Sequence, residues 1–356
     1  MSDQPQKQAI EPLSEAFLHW FATAARVMPW REQRNPYYIW VSEIMLQQTQ
    51  VATVMPYFER FIARFPTVFA LAEAPLDDVL KHWEGLGYYS RARNLHKGAN
   101  YVVEYFQGRL PRSAEQIRKV PGIGPYSAGA ILSIAYDVPE PAIDGNVIRV
   151  FSRLFALKKT FDKAQPKREL DALVRQYIPA YAPGDFNQAL MELGALICRP
   201  KNPDCEGCPV ASFCQARAEG DPTRYPFKGK KTKVKAVTLP VVWVQNEAGQ
   251  VLVCQQNQKG IFKGLWCLPD REHLQSDDSP CQMQEQGLLT TVEHTLTHRQ
   301  LTLEVYHGQL LKAEQPLPEA WAWVDPQDNT THAIPVAYQK VFRFVEEHPL
   351  LLMMTT

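Results

Sequence analysis

The sequence predicts two parts of different fold class, a mainly α-helical N-terminal part and a smaller α+β domain at the C-terminal end. Between residues 13 and 216, apolar residues recur at a spacing of three to four, with breaks at Pro or Gly. After residue 236, short stretches alternate apolar and polar residues as strands do. The chain has 356 residues, which exceeds one ordinary domain, and its 45% hydrophobic and 21% charged content is typical of globular proteins.

Helices are predicted at three places early in the helical part, over residues 36–56, 76–85 and 88–106. Residues 1–12 are polar and are predicted to be a tail. They lack the apolar core of a secretion signal and the Arg-rich pattern of an import signal. No apolar run is long enough to span a bilayer. We therefore expect a reducing compartment without membrane attachment, and the sequence favours a bacterial cytoplasm over a nucleus.

A change of composition marks the boundary between the two parts. Residues 217–236 are predicted to be a basic linker, because Pro and Gly interrupt them and five lysines follow closely. In the C-terminal domain, residues 237–356, the segments 237–244 and 251–254 predict a β-hairpin around a turn at 246–249. Residues 301–306 predict another strand, and 335–347 a final helix. The lysines of the linker are Lys228, Lys230, Lys231, Lys233 and Lys235.

Four of the seven cysteines lie close together, with the spacing C-x6-C-x2-C-x5-C. In a reducing compartment this density indicates one metal centre bound by four thiolates. Coordination chemistry alone leaves zinc and an iron–sulfur cluster both open, because each accepts four thiolates. The four cysteines are Cys198, Cys205, Cys208 and Cys214.

Residues 112–135 predict two helices joined by a tight turn, Pro121-Gly122-Ile123-Gly124-Pro125. Gly122 and Gly124 permit close backbone approach. The free N–H groups at the start of the second helix can bind an anion such as a DNA phosphate. A plain helical hairpin explains the two glycines equally well.

Two carboxylates are candidates for acid–base chemistry. Glu43 has apolar neighbours on nearly every side of its predicted helix, so burial would raise its pKa and keep it protonated near neutrality. Asp144 precedes Gly145 and is placed to cap the next helix, and the same carboxylate can face a cavity. A fixed carboxylate stabilises the positive sugar that forms when a glycosidic bond breaks. A solvated glutamate and a simple cap are the alternatives.

These motifs together resemble the adenine-excising DNA glycosylases of the MutY type, within the helix–hairpin–helix, endonuclease III-like superfamily. The resemblance rests on residues 42–51, the hairpin 112–135, residues 143–147 and the cysteine spacing. It implies a mainly α helix–hairpin–helix glycosylase fold over residues 13–216, with an iron–sulfur loop at 198–214. The four thiolates would then hold a 4Fe-4S cluster.

The resemblance also implies roles for single residues. Glu43 would protonate adenine at N7, and Asp144 would stabilise the cationic sugar. Tyr126 stands where related lyases carry a Schiff-base lysine, and a phenol cannot form that imine. Base removal without efficient strand cleavage is therefore implied. Gln48 and Tyr88 would fill the DNA stack beside the extruded base. The residues implied to border the adenine pocket are Arg26, Trp30, Arg31 and Gln188.

The C-terminal part resembles the Nudix-like domain of the same family, notably at residues 264–269. Residues 270–274 lack the paired glutamates with which Nudix hydrolases bind Mg²⁺, so recognition of 8-oxoguanine opposite adenine is implied. The family's Phe-Ser-His loop reads Leu296-Thr297-His298 here. Thr297 keeps a hydroxyl group beside His298, whereas Leu296 lacks the aromatic face.

The predicted function is hydrolysis of the N-glycosidic bond of adenine opposite 8-oxoguanine or guanine in double-stranded DNA, by a monomer. Two other functions stay open. An endonuclease III-like glycosylase–lyase for oxidised pyrimidines is disfavoured by Tyr126 and by the additional domain. A noncatalytic iron–sulfur protein that binds DNA or senses redox state would not need Glu43. The residues do not indicate which repair or replication proteins it meets.

Overall fold

The computed structural model describes residues 4–229, 234–257, 260–276 and 279–351. The chain divides into two compact units. The first unit consists of Met1–Glu73 and Asn94–Lys230, and the second of Ala74–Arg93 and Lys231–Thr356. The second unit therefore includes a segment from within the region whose pattern predicts a continuous helical domain.

Helices make up the regular structure of residues 4–229, where the structure has no strand. The first helix begins at Gln4, so it includes most of the segment predicted to be a tail. No described helix has the length and apolar content needed to cross a bilayer. The helices are α1 Gln4–Ala24, α2 Pro36–Leu46, α3 Val51–Arg64, α4 Val68–Glu73, α5 Leu76–His82, α6 Ser90–Phe106, α7 Ala114–Ile117, α8 Pro125–Tyr136, α9 Gly145–Leu154, α10 Ala164–Tyr177, α11 Pro183–Leu196 and α12 Gln215–Ala218.

The predicted helix over residues 36–56 is wrong, because the structure has two helices there. The helices α2 and α3 are separated by residues 47–50, where Gln48 has a left-handed backbone with a φ of 62°. A left-handed residue cannot continue a right-handed helix. Pro56 lies inside α3 and does not end it. The break therefore comes from the polar run and not from the proline.

The core of the first unit surrounds α11. This helix packs against α1, α8 and α9, and α2 packs against α8. Phe17, Phe151 and Phe186 are fully buried in this core, and Phe17 contacts Phe186 edge-on with ring centres 5.6 Å apart. Burying such rings contributes roughly 1.5–3 kcal/mol each. The helices that carry the predicted site residues are thus held against one another.

The second unit contains a six-stranded sheet with the order β3-β2-β1-β5-β4, in which β6 pairs with β2. The pair β1–β5 is parallel and the other pairs are antiparallel. The predicted hairpin, the strand around 301–306 and the final helix are confirmed. The elements are β1 Lys235–Gln245, β2 Val251–Gln255, β3 Trp266–Cys267, α13 Arg271–Leu274, β4 Cys281–Leu296, β5 Arg299–Ala313, β6 Trp321–Val324 and α14 Val336–Glu347.

The predicted linker 217–236 overlaps regular structure at both ends, since α12 ends at Ala218 and β1 begins at Lys235. Three of its five lysines, Lys230, Lys231 and Lys233, lie outside the described residues. The core on one face of the sheet includes Trp243, and α14 covers it by placing Phe342 edge-on to this ring.

Candidate active site and cysteine loop

A cavity of about 500 Å³ lies within the first unit. Side chains from α2, α8, α9, α11 and the loop after α1 line it together. Of the predicted site residues, the cavity brings together Arg26, Trp30, Arg31, Glu43, Tyr126, Asp144 and Gln188. Its described lining does not include Gln48, Tyr88, Gly122, Gly124, Thr297 or His298.

Glu43 faces this cavity from α2 and is only 4% exposed. Burial raises the pKa of Glu43 to about 7, and the charge of Asp144 acts in the same direction. A hydrogen bond from Tyr126 and the charge of Arg31 lower the pKa in part. Both protonation states of Glu43 are therefore populated near neutral pH, which suits a group that gives up a proton and later takes one.

Tyr126 stands at the second position of α8, directly after the glycine turn. Its hydroxyl donates a hydrogen bond to Oε2 of Glu43 and lies 3.3 Å from Sδ of Met191. Burial, together with the negative charges of Glu43 and Asp144, raises the pKa of Tyr126 well above its ordinary value. The phenol therefore stays protonated and acts as a donor to the carboxyl group of Glu43.

Asp144 caps α9 as predicted and also lines the cavity. Its Oδ1 accepts from the backbone N–H of Val147 at 2.8 Å, and its Oδ2 accepts from Nδ2 of Asn146 at 2.7 Å. Burial raises the pKa of Asp144, although these hydrogen bonds oppose the shift. Because the cap holds the carboxylate in place, no reorganisation is needed when positive charge develops beside it.

The chain that leads to Asp144 is fixed by α8 and α11. Asn187, fully buried in α11, accepts from the backbone N–H of Ala142 at 3.1 Å and donates to the carbonyl of Glu140 at 2.8 Å. A Cβ at Gly129 in α8 would lie 2.0 Å from the carbonyl oxygen of Pro141. Only glycine permits this close approach, which sets how far the Asp144 cap reaches into the cavity.

A third buried carboxylate, Glu192 of α11, also lines the cavity, and the sequence analysis missed it. Arg26 donates to its two oxygens at 2.6 and 3.1 Å, and Arg31 donates at 3.1 Å. Burial tends to raise the pKa of Glu192, but the hydrogen bond from Arg26 and both cationic charges lower it overall. The signal in the sequence is the one that singled out Glu43, a lone carboxylate flanked by apolar residues, here Met191 and Leu193.

The glycine turn before α8 has two different glycines. Gly122 has a φ of 85°, and a Cβ there would lie 2.9 Å from Cβ of Asn94. Gly124 is the N-cap of α8, and a Cβ there would meet nothing within 4 Å. Gly122 thus shapes the turn, whereas the open face at Gly124 leaves the start of α8 accessible to an anion.

Gln48 and Tyr88, the two residues implied to enter the DNA stack, share an uncommon backbone state. Both are non-glycine residues in the left-handed region, with φ values of 62° and 48°. Each such residue costs on the order of 1 kcal/mol or more. Gln48 is exposed and Tyr88 is 44% exposed. Within the second unit, the hydroxyl of Tyr88 is hydrogen-bonded to that of Thr297, and His298 accepts at its carbonyl from the N–H of Lys235 at 3.1 Å.

The four clustered cysteines line one small cavity of about 20 Å³ in the first unit. Across the described residues, no three Cys, His, Asp or Glu side chains converge as ligands of a single metal ion. Burial raises the pKa of the Cys208 thiol to about 11, and neighbouring thiols add to this shift. Burial also raises the pKa of the Cys205 and Cys214 thiols.

Arg153 lies against this cavity and is only 2% exposed. It donates to Sγ of Cys198 at 3.2 Å and to the carbonyl oxygens of Cys198, Arg199, Pro200 and Tyr225 at 2.8–3.3 Å. None of these acceptors carries a full charge while the thiol is protonated. A buried cation in such a setting is stabilised by a negative group at the cysteines.

A second arginine connects the cysteine loop to the cavity. Arg149 donates to the carbonyl of Cys198 at 2.8 Å and to Oδ1 of Asn146 at 2.6 Å. Asn146 in turn holds Asp144. The backbone position of Cys198 and the side-chain position of Asp144 are therefore connected by two intervening residues.

Residues 41–176 match the model of the HhH-GPD superfamily of base excision DNA repair proteins, and residues 240–343 match the NUDIX domain. A solved thermostable thymine-DNA glycosylase is 27% identical with a TM-score of 0.56, covering 61% of this chain and 100% of that chain. The helical fold and these matches identify a DNA glycosylase of the helix–hairpin–helix class with a C-terminal Nudix-like domain, which confirms the predicted fold class.

Two relatives narrow this class. The chain is 39% identical over 260 residues to an adenine DNA glycosylase from Buchnera aphidicola subsp. Schizaphis graminum (strain Sg), covering 72% of this chain and 74% of that protein. It is 34% identical over 400 residues to an adenine DNA glycosylase from Rattus norvegicus, covering 93% of this chain and 77% of that protein. The chain belongs to the adenine DNA glycosylase family.

Proposed function

We propose that the protein hydrolyses the N-glycosidic bond of adenine opposite 8-oxoguanine or guanine in duplex DNA. The observation that carries this proposal is the buried carboxyl group of Glu43, with a pKa of about 7, in one cavity with Asp144. An acid that is protonated near neutral pH and a fixed carboxylate are the two groups needed to remove a base and stabilise the sugar. The names of the relatives support adenine as the base.

In this mechanism the flipped base enters the cavity and Glu43 donates its proton to a ring nitrogen. The C1′–N bond then breaks, its electron pair goes to the protonated base, and positive charge develops on the sugar. Asp144, held by the α9 cap, stabilises this charge without reorganising. Glu43, now ionised, takes a proton from water as the water oxygen bonds to C1′. Glu192 offers an anion, and Arg31 a donor, to the edges of the base.

Strand cleavage is not part of the proposed reaction. The described residues that line the cavity include no lysine, and Tyr126 occupies the place beside Glu43. A Schiff base with the opened sugar needs an amine. This favours simple hydrolysis over the glycosylase–lyase alternative.

We further propose that Cys198, Cys205, Cys208 and Cys214 hold a 4Fe-4S cluster, as is expected for the family. The fit is supported by the shared cavity and by buried Arg153, whose charge a thiolate-bound cluster would offset. A bound cluster would cross-link the loop 198–214. Arg149 would then brace Asn146, and through it Asp144, against a fixed support.

The proposed partner is double-stranded DNA. The open start of α8 at Gly124 suits a phosphate, and the exposed Gln48 and Tyr88 suit entry into a base stack. Thr297 and His298 are proposed to contact the base opposite adenine, on the strength of the hydroxyl pair that Thr297 forms with Tyr88.

The test is single-turnover base release from labelled duplexes with adenine opposite 8-oxoguanine, guanine, thymine or cytosine. We expect the fastest adenine release opposite 8-oxoguanine, with an intact strand until alkali is added. No adenine release from any duplex, by protein with its full iron content, would overturn the proposal.

The rate of base release is expected to fall as the pH rises through about 7. Glu43 must carry its proton to act as the acid, and burial places its pKa there. At acid pH the rate should fall again as Asp144 gains a proton at a pKa above its ordinary value. Single-turnover rates measured from pH 5 to 9 at constant ionic strength check this. A rate that keeps rising above pH 8 would contradict an acid role for Glu43.

Replacing Cys208 with Ser is expected to reduce the iron content strongly and to weaken DNA binding, because one of four thiolate ligands is lost. Iron analysis and the visible absorption of the purified protein measure the effect. The control is Cys281→Ser, which changes a buried cysteine in the second unit and should leave iron unchanged. Equal iron in the Cys208 variant and in the unchanged protein would refute the ligand assignment.

A further inference from the structure

The turn that presents Tyr88 belongs to the second unit, together with α5 before it. We infer that Glu84 is a positioning residue: it holds this turn on the residue 332–334 segment and so sets where Tyr88 lies beside Thr297. The inference rests on the proposed function, since it gives Glu84 a part in discriminating the base opposite adenine.

The carboxylate of Glu84 makes two bonds of different kinds. Oε1 accepts from the backbone N–H of Ile334 at 2.7 Å, and Oε2 lies 2.6 Å from Nζ of Lys81. Lys81 also donates to the carbonyl of His332 at 3.3 Å. The side chains of Glu84 and Lys81 are 16% and 19% exposed. Their partial burial makes this arrangement stronger than an ordinary surface ion pair.

Residues 332–334, which Glu84 contacts, are themselves held by several hydrogen bonds. The side chain of Asn329 donates to the carbonyl of His332 at 2.7 Å and accepts from its N–H at 2.9 Å. The carbonyl of Ala333 accepts from the N–H of Trp266, in β3, at 3.0 Å. Ile334 is buried in the core beneath the sheet. Glu84 is therefore tied to the sheet and not to a loose surface loop.

The turn after Glu84 is held internally at several points. Nε1 of the buried Trp83 donates to the carbonyl of Gly87 at 3.2 Å. Nη2 of Arg91 donates to the carbonyls of Leu86 and Gly87 at 3.2 and 3.1 Å. A shift at Glu84 is therefore passed on to Tyr88 instead of being absorbed within the turn.

The far end of the turn meets the tip of the β4–β5 hairpin. There the hydroxyl groups of Tyr88 and Thr297 are hydrogen-bonded. Both side chains are proposed to contact DNA, and the position of Tyr88 relative to Thr297 depends on how the turn is attached to the sheet. Asp77, which accepts from Nε2 of Gln255 at 3.0 Å, provides a second attachment through α5. Glu84 lies directly beside the turn, so its loss should affect Tyr88 most.

The experiment compares three variants of the full-length, iron-containing protein. Glu84→Ala removes the acceptor of the Ile334 N–H and leaves the Lys81 ammonium with the carbonyl of His332. Glu84→Gln keeps an oxygen for Ile334 but loses the charge. Glu319→Gln makes the same charge change at an exposed site of the second unit. Single-turnover rate constants are measured with adenine opposite 8-oxoguanine and opposite guanine, and the ratio of the two rates is compared.

We expect Glu84→Ala to reduce this ratio about tenfold, which corresponds to losing one charge-assisted hydrogen bond. Glu84→Gln should recover part of the ratio, and Glu319→Gln should leave it unchanged. Partial unfolding would lower the amplitude of the single-turnover reaction but not the ratio of rate constants. An unchanged ratio in Glu84→Ala, while the unchanged protein discriminates, would overturn the inference alone. Absence of adenine release from the unchanged protein would instead overturn the proposed function.

Discussion

Replacing Glu43 with Gln is expected to reduce adenine release roughly 10²- to 10⁴-fold and to leave duplex affinity nearly unchanged. Gln has almost the same shape and keeps an oxygen that can accept from Tyr126, but it cannot transfer a proton. The measurements are the single-turnover rate constant and equilibrium binding to the same duplex. Loss of base release with duplex affinity kept would count against the noncatalytic DNA-binding alternative, whereas an unchanged rate of base release would contradict an acid role for Glu43.

The pH dependence of stability provides a control for this variant. The folded protein raises the pKa of Glu43 to about 7 from 4.5, so the carboxyl group binds its proton more tightly when folded. The stability it contributes is present below pH 4.5 and is lost as the pH rises toward 7. Glu43→Gln removes this dependence. Because Gln is uncharged, as the Glu43 carboxyl group is at low pH, the free energies of unfolding of the variant and the unchanged protein should agree better at pH 5 than at pH 7.5, where only the unchanged protein carries a buried charge at this position.

Much of the fold could be predicted because the spacing of apolar residues along a segment indicates which of its faces is buried. The helix–turn–helix around Gly122 and the hairpin of β1 and β2 are marked by their own glycines and alternation. The break at Gln48 could not be predicted in the same way. A run of Gln and Thr is compatible with a helix, and only the surrounding packing decides that Gln48 adopts a left-handed backbone.

The candidate site, like the fold, could be predicted only in part from the sequence. Glu43 could be predicted because its immediate neighbours are unusual for a charged residue, and Asp144 because it precedes a glycine where it can cap the next helix. Glu192 has equally apolar neighbours, yet its importance depends on Arg26 and Arg31, which lie about 160 positions earlier in the chain. The attachment of Glu84 to residues 332–334 depends on a pairing across 250 positions. Contacts of this kind arise from the fold and leave no local pattern.

Replacing Asp144 with Asn is expected to reduce the rate of base release about 10²- to 10³-fold, because the charge that stabilises the cationic sugar is lost. Asn caps helices as well as Asp does, so the hydrogen bond from the N–H of Val147 can be kept. The new amide would, however, point N–H groups at Nδ2 of Asn146, which now donates to Oδ2. This conflict costs about 1–3 kcal/mol of stability and is read from thermal unfolding.

A matched control separates the two effects. Ser113→Ala removes the cap of α7, where the side chain accepts from the N–H of Gln116 at 3.3 Å, and Ser113 does not line the cavity. Its loss should cost about 1 kcal/mol while the rate constant for base release stays the same. If Asp144→Asn lowers the rate no more than Ser113→Ala does, Asp144 is a helix cap alone. If the rate falls at least a hundredfold, the negative charge at Asp144 stabilises the transition state, and the cap is the means by which the fold holds that charge in place.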